Sequence, residues 1–311
     1  NNRQLQGGLT MEFDLQSMFI NVLNRSITGV YVIMFVLLIR LPLKKLPKIF
    51  SYSLWGVVLF RLVCPYSFST AFSFLKSISF SGSNTEPVPT NIGLMAQPSV
   101  DVGIDGVNSV INGSLPAATP YASINPMQVI VAIASEVWVI GVLGMVLYSI
   151  ISYTRLKRRI HSALLVCDNV FECETIQTPF VLGILKPKIY LPSGLAESEK
   201  TYILKHEQVH IKRFDYLVKP FAFLVLCMHW FNPFVWLAFV LMSRDMEMSC
   251  DEKVIKELGN GIKREYSTSL LAMAVTGSLV SGSPLAFGES NVKRRIKNVL
   301  KYKKPSFWIV A

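Results

Sequence analysis

The chain has 311 residues, 51% of them hydrophobic and only 16% charged, where an ordinary soluble domain carries about 25% charged residues. With a mean hydropathy of +0.41, this balance argues against a freely soluble protein and for a membrane protein of one large or two modest domains. The net charge of +11 would suit nucleic acid. The basic residues, however, cluster beside apolar runs, which fits anchoring at the cytoplasmic face of a membrane and no direct nucleic-acid contact.

Residues 1–10 are polar, precede Met11 and read as a remnant upstream of the folded chain. Met18 to Ile39 is an apolar run whose only charge is Arg25, long enough to cross a hydrocarbon core of about 30 Å as a helix. Arg40, Lys44, Lys45 and Lys48 follow, then a second run from Ile49 to Val63 closed by Cys64 and Pro65. Residues 11–64 are therefore expected to form two spanning helices joined by a basic cytoplasmic loop. Residues 65–126 contain one lysine, Lys76, and three acids, Glu86, Asp101 and Asp105. This segment, rich in Ser, Asn, Gly and Pro, is expected to be a flexible extracellular loop. Residues 127–152 hold a third span, Met127 to Ile151, with Arg155, Lys157, Arg158 and Arg159 directly after it.

Beyond Arg159 come four short strand-like pieces, Ala163 to Cys167, Phe171 to Ile176, Phe180 to Leu185 and Lys188 to Leu191, punctuated by Pro179, Gly183, Pro187 and Pro192. They predict a small antiparallel sheet. A helix is expected to open within Ala196 to Lys200, with Ser198 as its cap and Glu199 at the positive end of its dipole. The apolar run Tyr216 to Met242 carries His229 and Pro233 in its middle. A polar helix follows from about Ser243 to Glu257, ended by Gly259, and another covers Glu265 to Ser278. A basic tail from Lys293 to Lys304 fits an anionic-lipid anchor, and 301–311 read as the start of a truncated fourth spanning helix. Five cysteines without a CxxC pair predict free thiols.

The chemistry rests on His206-Glu207-Gln208-Val209-His210, of form HExxH. On a helix, His206 and His210 lie one turn apart on one face and can grip a single Zn²⁺, with Glu207 beside them to take a proton from water. Ile203, Leu204, Val209 and Ile211 make this a half-buried helix, where two histidines and a glutamate need a partner. A hydrolytic zinc site wants a third protein ligand. Glu247 is the best candidate, with Asp251 one turn on to orient a ligand histidine; the other reading of this pair is a solvated acidic face. Cys250, next to Asp251, is expected to point elsewhere. A single span over 216–242 would put His210 and Glu247 on opposite sides of the bilayer. Asn232-Pro233 resolves this, because proline breaks the helix into halves of about 15 Å each. A hairpin over 216–243 returns both ends to the cytoplasmic face.

The segments HEQVHIKRFD, HWFNPFVW and DMEMSCDEKVI, with TPFVLGILKPKIYLP upstream, resemble the beta-lactam-sensing signal-transducer metallopeptidases, antirepressor proteases of the methicillin-resistance sensor type. The resemblance covers Met11 to Ala311 in layout and is most specific from Thr178 to Glu252. It implies zinc bound by His206, His210 and Glu247, with Glu207 as general base. The expected fold is a mainly α membrane protein with a small antiparallel β element, three spanning helices and a cytoplasmic-face, gluzincin-like zinc metalloprotease domain over 153–300. Fuller members of the family carry a penicillin-binding domain after the fourth span.

Three further residues or segments have two readings each. His229 is a core histidine or a transition-state stabiliser. Asp215 orients a ligand histidine or pairs with Arg213. Pro284 to Gly288 is an ordinary loop or, because the resemblance implies regulated autoproteolysis, a self-cleavage segment centred on Ala286 and Phe287. The expected function is a multi-pass protease of the bacterial cell membrane whose substrate is itself or a cytoplasmic transcriptional repressor. Its expected partners are membrane lipid and that protein substrate, with a homodimer as an option. The alternatives are a quality-control protease of broad specificity and a non-catalytic receptor with a vestigial motif.

Overall fold

The structure, a computed structural model, describes residues 2–64, 86–118, 124–277 and 292–302. It is mainly helical: α1 (Asn2–Ile39), α2 (Lys48–Val63), α3 (Asp105–Ser114), α4 (Pro126–Arg159), α5 (Glu197–Lys212), α6 (Asp215–Met228), α7 (Pro233–Leu258), α8 (Lys263–Gly277) and α9 (Val292–Lys301). Four strands, β1 (Leu164–Cys167), β2 (Val170–Cys173), β3 (Phe180–Leu182) and β4 (Lys188–Pro192), lie between α4 and α5. Two helical stretches, Leu15–Ile39 and Pro126–Ser162, are long and apolar enough to cross a membrane. The second expected span forms α2, whose 16 residues extend about 24 Å, less than a hydrocarbon core.

The chain divides into two compact units, one of residues 1–34, 58–144 and 227–235, the other of 35–57, 145–226 and 236–311. In the first, Ile20, Val88, Ile92, Met127 and Val131 form a buried core. Asn24, inside α1, donates to the Val88 carbonyl at 2.8 Å and accepts from the Val88 amide at 2.8 Å, so a polar residue in an apolar helix is satisfied by loop backbone. The flexible loop expected over 65–126 is therefore not what residues 86–118 form. They carry a 3₁₀ turn at Ile92–Leu94 and α3, and Asn112 and Asn108 of α3 hold the backbone of Val100 and Val102 at 2.8 Å each. Side-chain amides supply what composition alone suggested was missing. Arg25 donates to the last carbonyl of α2, Val63, at 3.0 Å, satisfying a group that a helix end leaves open.

Between α6 and α7, Asn232 caps α7 through a 2.9 Å bond from the Phe234 amide, with Pro233 at the first helical position, where its missing N–H costs nothing. Trp138 Nε1 donates to the Met228 carbonyl at 2.8 Å and Trp230 Nε1 to the Trp138 carbonyl at 3.2 Å. The Trp230 ring can lie against α4 only because residue 141 is glycine: a Cβ there would stand 2.2 Å from the ring.

The second unit contains the sheet, in order β1-β2-β4-β3. It is mixed, not antiparallel as expected: β1–β2 and β3–β4 are antiparallel, but β2–β4 are parallel. The hairpin at Gly183–Pro187 returns β4 beside β3, and β4 then inserts against β2 with Val170 opposite Ile189. Gly183 has φ 118°, and a Cβ would meet the Lys186 carbonyl oxygen at 2.6 Å, so the tight turn requires glycine. Alternation along β4 sends Ile189 and Leu191 to a core with Val170 and Ile203 of α5. Tyr190 goes to the other face, stacked between Phe171 and Phe180 at 5.4 Å from each. α5 starts one residue before the expected cap: Ala196 precedes it in extended conformation, and its amide donates to Glu199 at 3.3 Å. Ser198 already lies inside the helix.

A further core joins Val209 of α5, Cys250, Val254 and Ile255 of α7, Tyr266 and Leu270 of α8, and Val299 of α9. α7 also carries Asp245, only 1% exposed. Its carboxylate accepts from Arg40 Nη2 at 2.8 and 2.7 Å and from Trp55 Nε1 at 2.8 Å. Glu252 accepts from the Lys48 amide, at the start of α2, at 2.7 Å, and from Asn298 of α9 at 3.0 Å.

Three substitutions test this packing in detergent-purified protein. Gly141→Ala is expected to destabilise by about 1–3 kcal/mol through overpacking against Trp230. Gly144→Ala, where a Cβ meets nothing within 4 Å, should not lower the melting temperature. Asp245→Ala leaves a guanidinium and an indole N–H without their acceptor and should cost about 3 kcal/mol, read as a lower unfolding midpoint.

Candidate metal centre

α5 has apolar positions on both flanks. Ile203 enters the sheet core and Val209 the α7–α8–α9 core, which turns the face of His206, Glu207 and His210 inward. All three are buried, at 6%, 6% and 8% exposure. The two imidazoles converge through Nε2 atoms 3.1 Å apart. Their other nitrogens face away, each to its own partner. His206 Nδ1 lies 2.9 Å from the Tyr266 hydroxyl and 3.2 Å from Asp251. His210 Nδ1 lies 2.8 Å from Asp215. A carboxylate on Nδ1–H fixes the tautomer that leaves the Nε2 lone pair free for a cation.

Asp215 reaches His210 because the chain reverses immediately after α5. Phe214 has φ 59°, a left-handed conformation that costs a bulky residue about 1–2 kcal/mol. Asp215 then opens α6, 2% exposed. Both of its expected roles are present: it faces His210, and Arg213 Nε stands 3.6 Å from the same oxygen. Tyr52 donates to its other oxygen at 2.9 Å.

α7 contributes Glu247, whose Oε2 lies 3.4 Å from His206 Nε2 and 3.8 Å from His210 Nε2. Donors bound to a tetrahedral zinc at 2.0–2.1 Å stand about 3.3 Å from one another, so the spacing of these three atoms fits one metal ion. Cys250 does not point elsewhere as expected. Its Sγ groups with a ring nitrogen of His206 and one of His210 within 4.8 Å, and it also donates to the His206 carbonyl at 3.4 Å. The reason is helical geometry: Glu247, Cys250 and Asp251 are spaced i, i+3, i+4 and share a face. Cys250 is thus a second possible sulfur donor beside the Glu247 oxygen.

Sequence reading missed Arg295. It was grouped with a lipid-anchoring tail, yet α9 inserts it into the centre. Its Nε and Nη2 grip Asp251 at 2.9 and 2.8 Å. Nη1 lies 3.4 Å from Glu247 Oε2, and Nη2 lies 3.3 Å from His206 Nε2. Only the amphipathic spacing that buries Val299 of α9 hints at a docked helix; nothing in the sequence singles out this arginine from Lys293, Arg294 or Lys297.

The electrostatics follow from burial and pairing. Burial pushes the Asp251 carboxyl up, but Arg295 outweighs it and brings it down to about 2. Glu247 is likewise held well below the carboxylate range, against burial, by Arg295 and His210. Burial also opposes a charged imidazole at His206 and His210. Cys250, Glu247 and the carboxylates of Asp251 and Asp215 outweigh it and push both groups well above the usual histidine range. The two rings and Arg295 thus stand among the acidic groups Glu247, Asp251 and Asp215, which favour positive charge at this position.

His229 is 1% exposed and belongs to the first unit, and its Nδ1 is buried with no hydrogen-bond partner among the described residues. Ala286 and Phe287 lie outside the described residues.

The chain is 32% identical over 138 residues to the regulatory protein BlaR1 of Bacillus licheniformis, covering 42% of this chain and 23% of that one. It is 24% identical over 308 residues to the methicillin resistance mecR1 proteins of Staphylococcus aureus and Staphylococcus epidermidis, covering 89% of this chain and 50% of theirs. It thus spans half the length, or less, of these relatives. The profile of the BlaR1 peptidase M56 family matches residues 20–299, the two histidines, Glu207, Glu247 and Arg295 included, and the chain belongs to that family.

Proposed function

We propose that this chain is a membrane-embedded zinc endopeptidase that transmits a signal by cutting itself or a cytoplasmic repressor protein. The observation that carries the reading is the convergence of His206 Nε2, His210 Nε2 and Glu247 Oε2 at distances of 3.1, 3.4 and 3.8 Å. Family membership supports a peptidase, and the chain's likeness to a regulatory protein and to methicillin-resistance proteins supports a signalling one. The basic clusters after α1 and at the end of α4 support a catalytic face on the cytoplasmic side.

In this mechanism His206, His210 and Glu247 hold the metal. Zinc, when bound, polarises a peptide carbonyl and makes a water molecule acidic. Glu207 accepts the proton of the attacking water and passes it to the leaving amine. Asp251 and Asp215 keep the two imidazoles in the tautomer and rotation that face the metal. Glu247 is favoured over Cys250 as third ligand because its oxygen approaches both Nε2 atoms, whereas the Cys250 thiol is engaged with the His206 carbonyl at 3.4 Å.

Four substitutions separate these roles. Glu207→Gln should keep stoichiometric zinc, measured by elemental analysis, and lose at least about 10²-fold in cleavage rate; undiminished proteolysis would remove Glu207 from the mechanism. Glu247→Ala should bind zinc poorly while Cys250→Ser retains it, and the reverse pattern would make Cys250 the ligand. Asp215→Asn should weaken zinc affinity about 10–100-fold, measured by competition with a chelator.

A further inference from the structure

Arg295 stands where an ordinary metal centre has no cation. Its Nη2 is 3.3 Å from His206 Nε2 and its Nη1 3.4 Å from Glu247 Oε2, and these are two of the three atoms that the proposed function gives to the metal. A guanidinium only donates and cannot itself bind a metal, and the His206 Nε2 that it faces is an atom a metal would take. The side chain is 12% exposed, and Asp251, on its other flank, is fully buried. The position is not a loose one. α9 is held by Val299 in the shared core and by Asn298 on Glu252, and Asp251 is gripped at two points.

Charge explains why such a residue is useful. Glu247 and Asp251 are carboxylates one turn apart on α7, both turned inward, and leaving them without a cation would be severely destabilising. A divalent ion can supply that charge when it is bound. Arg295 supplies it from the polypeptide itself. A resident cation that stabilises the metal-free centre must, by linkage, oppose entry of a second cation at the same donors.

We propose that Arg295 is the built-in counter-cation of the metal-free centre and that a divalent metal displaces it from His206 and Glu247, so that α9 sets the metal affinity. The inference rests on the metallopeptidase reading but makes a separate claim, whose sign is opposite to that of an ordinary supporting residue. Removing a residue that merely orients a ligand weakens metal binding. Removing a competitor strengthens it.

The test is zinc competition against a chelator on the full chain in detergent, with wild type, Arg295→Gln and Arg295→Lys. Arg295→Gln is expected to bind zinc about tenfold tighter than wild type. Arg295→Lys, which keeps the charge, should stay close to wild type. The metal-free Arg295→Gln protein should melt below metal-free wild type, and zinc should raise its midpoint by more. Should the metal-free variant not survive, release of zinc from the loaded protein into excess chelator gives the same answer, with Arg295→Gln expected to release about tenfold more slowly. Equal or weaker zinc binding by Arg295→Gln, or equal or faster release, overturns the proposal. A wild-type chain that binds no zinc at all defeats the metallopeptidase reading and this inference with it.

Discussion

Buried carboxylates have to be met by donors or cations, and this requirement organises the second unit. Asp215, Asp245 and Asp251 are at most 2% exposed, and each is satisfied by side chains from other elements. Asp245 collects Arg40 and Trp55, Asp215 collects Tyr52 and His210, and Asp251 collects His206, Tyr266 and Arg295. An unpaired buried charge is among the most costly defects a fold can carry. The pairings therefore constrain where Arg40, the start of α2, α5, α8 and α9 lie around α7 more sharply than apolar contacts could.

α7 is the common member of most of these pairings. Over Asp245 to Glu252 it offers acidic groups to the end of α1, to α2, to the histidines of α5 and to α9. The residue that completes the candidate metal centre, Glu247, lies between two of these ties. Its placement against His206 and His210 is thus fixed from both sides along the helix, as the preorganisation of a site requires. The apolar complement is Val209, Cys250, Val254 and Tyr266, packed into one core. Tyr266 joins both kinds of contact, with its ring in that core and its hydroxyl donating to Asp251 at 2.7 Å.

Much of the local structure was legible in sequence because it depends on neighbours along the chain. Strand-like pieces bounded by Gly and Pro became β1 to β4 within a few residues. Asn232-Pro233 marked the start of α7, where a cap and a proline at the first position act locally. HExxH predicted a histidine pair on one helix face, and the Nε2 atoms meet there. Errors arose where the partner was distant or the geometry was three-dimensional. Which strands pair, and in which direction, depends on the insertion of β4 between β2 and β3. Composition suggested a flexible loop where Asn24, Asn108 and Asn112 in fact fasten the backbone of residues 86–118. Cys250 was misdirected although the i, i+3 spacing from Glu247 was there to be read.

By itself the sequence determined the apolar runs, the inward histidine pair and the glutamate beside it, because hydropathy and the 3.6-residue period are properties of adjacent residues. Only the tertiary structure decided that Asp215 and Asp251 take the outer nitrogens of the two rings, that Glu247 approaches the inner ones with Cys250 close by, and that Arg295 enters from α9. Those choices are made by the satisfaction of buried charge between elements tens of residues apart, and no local pattern encodes which distant cation will meet which carboxylate.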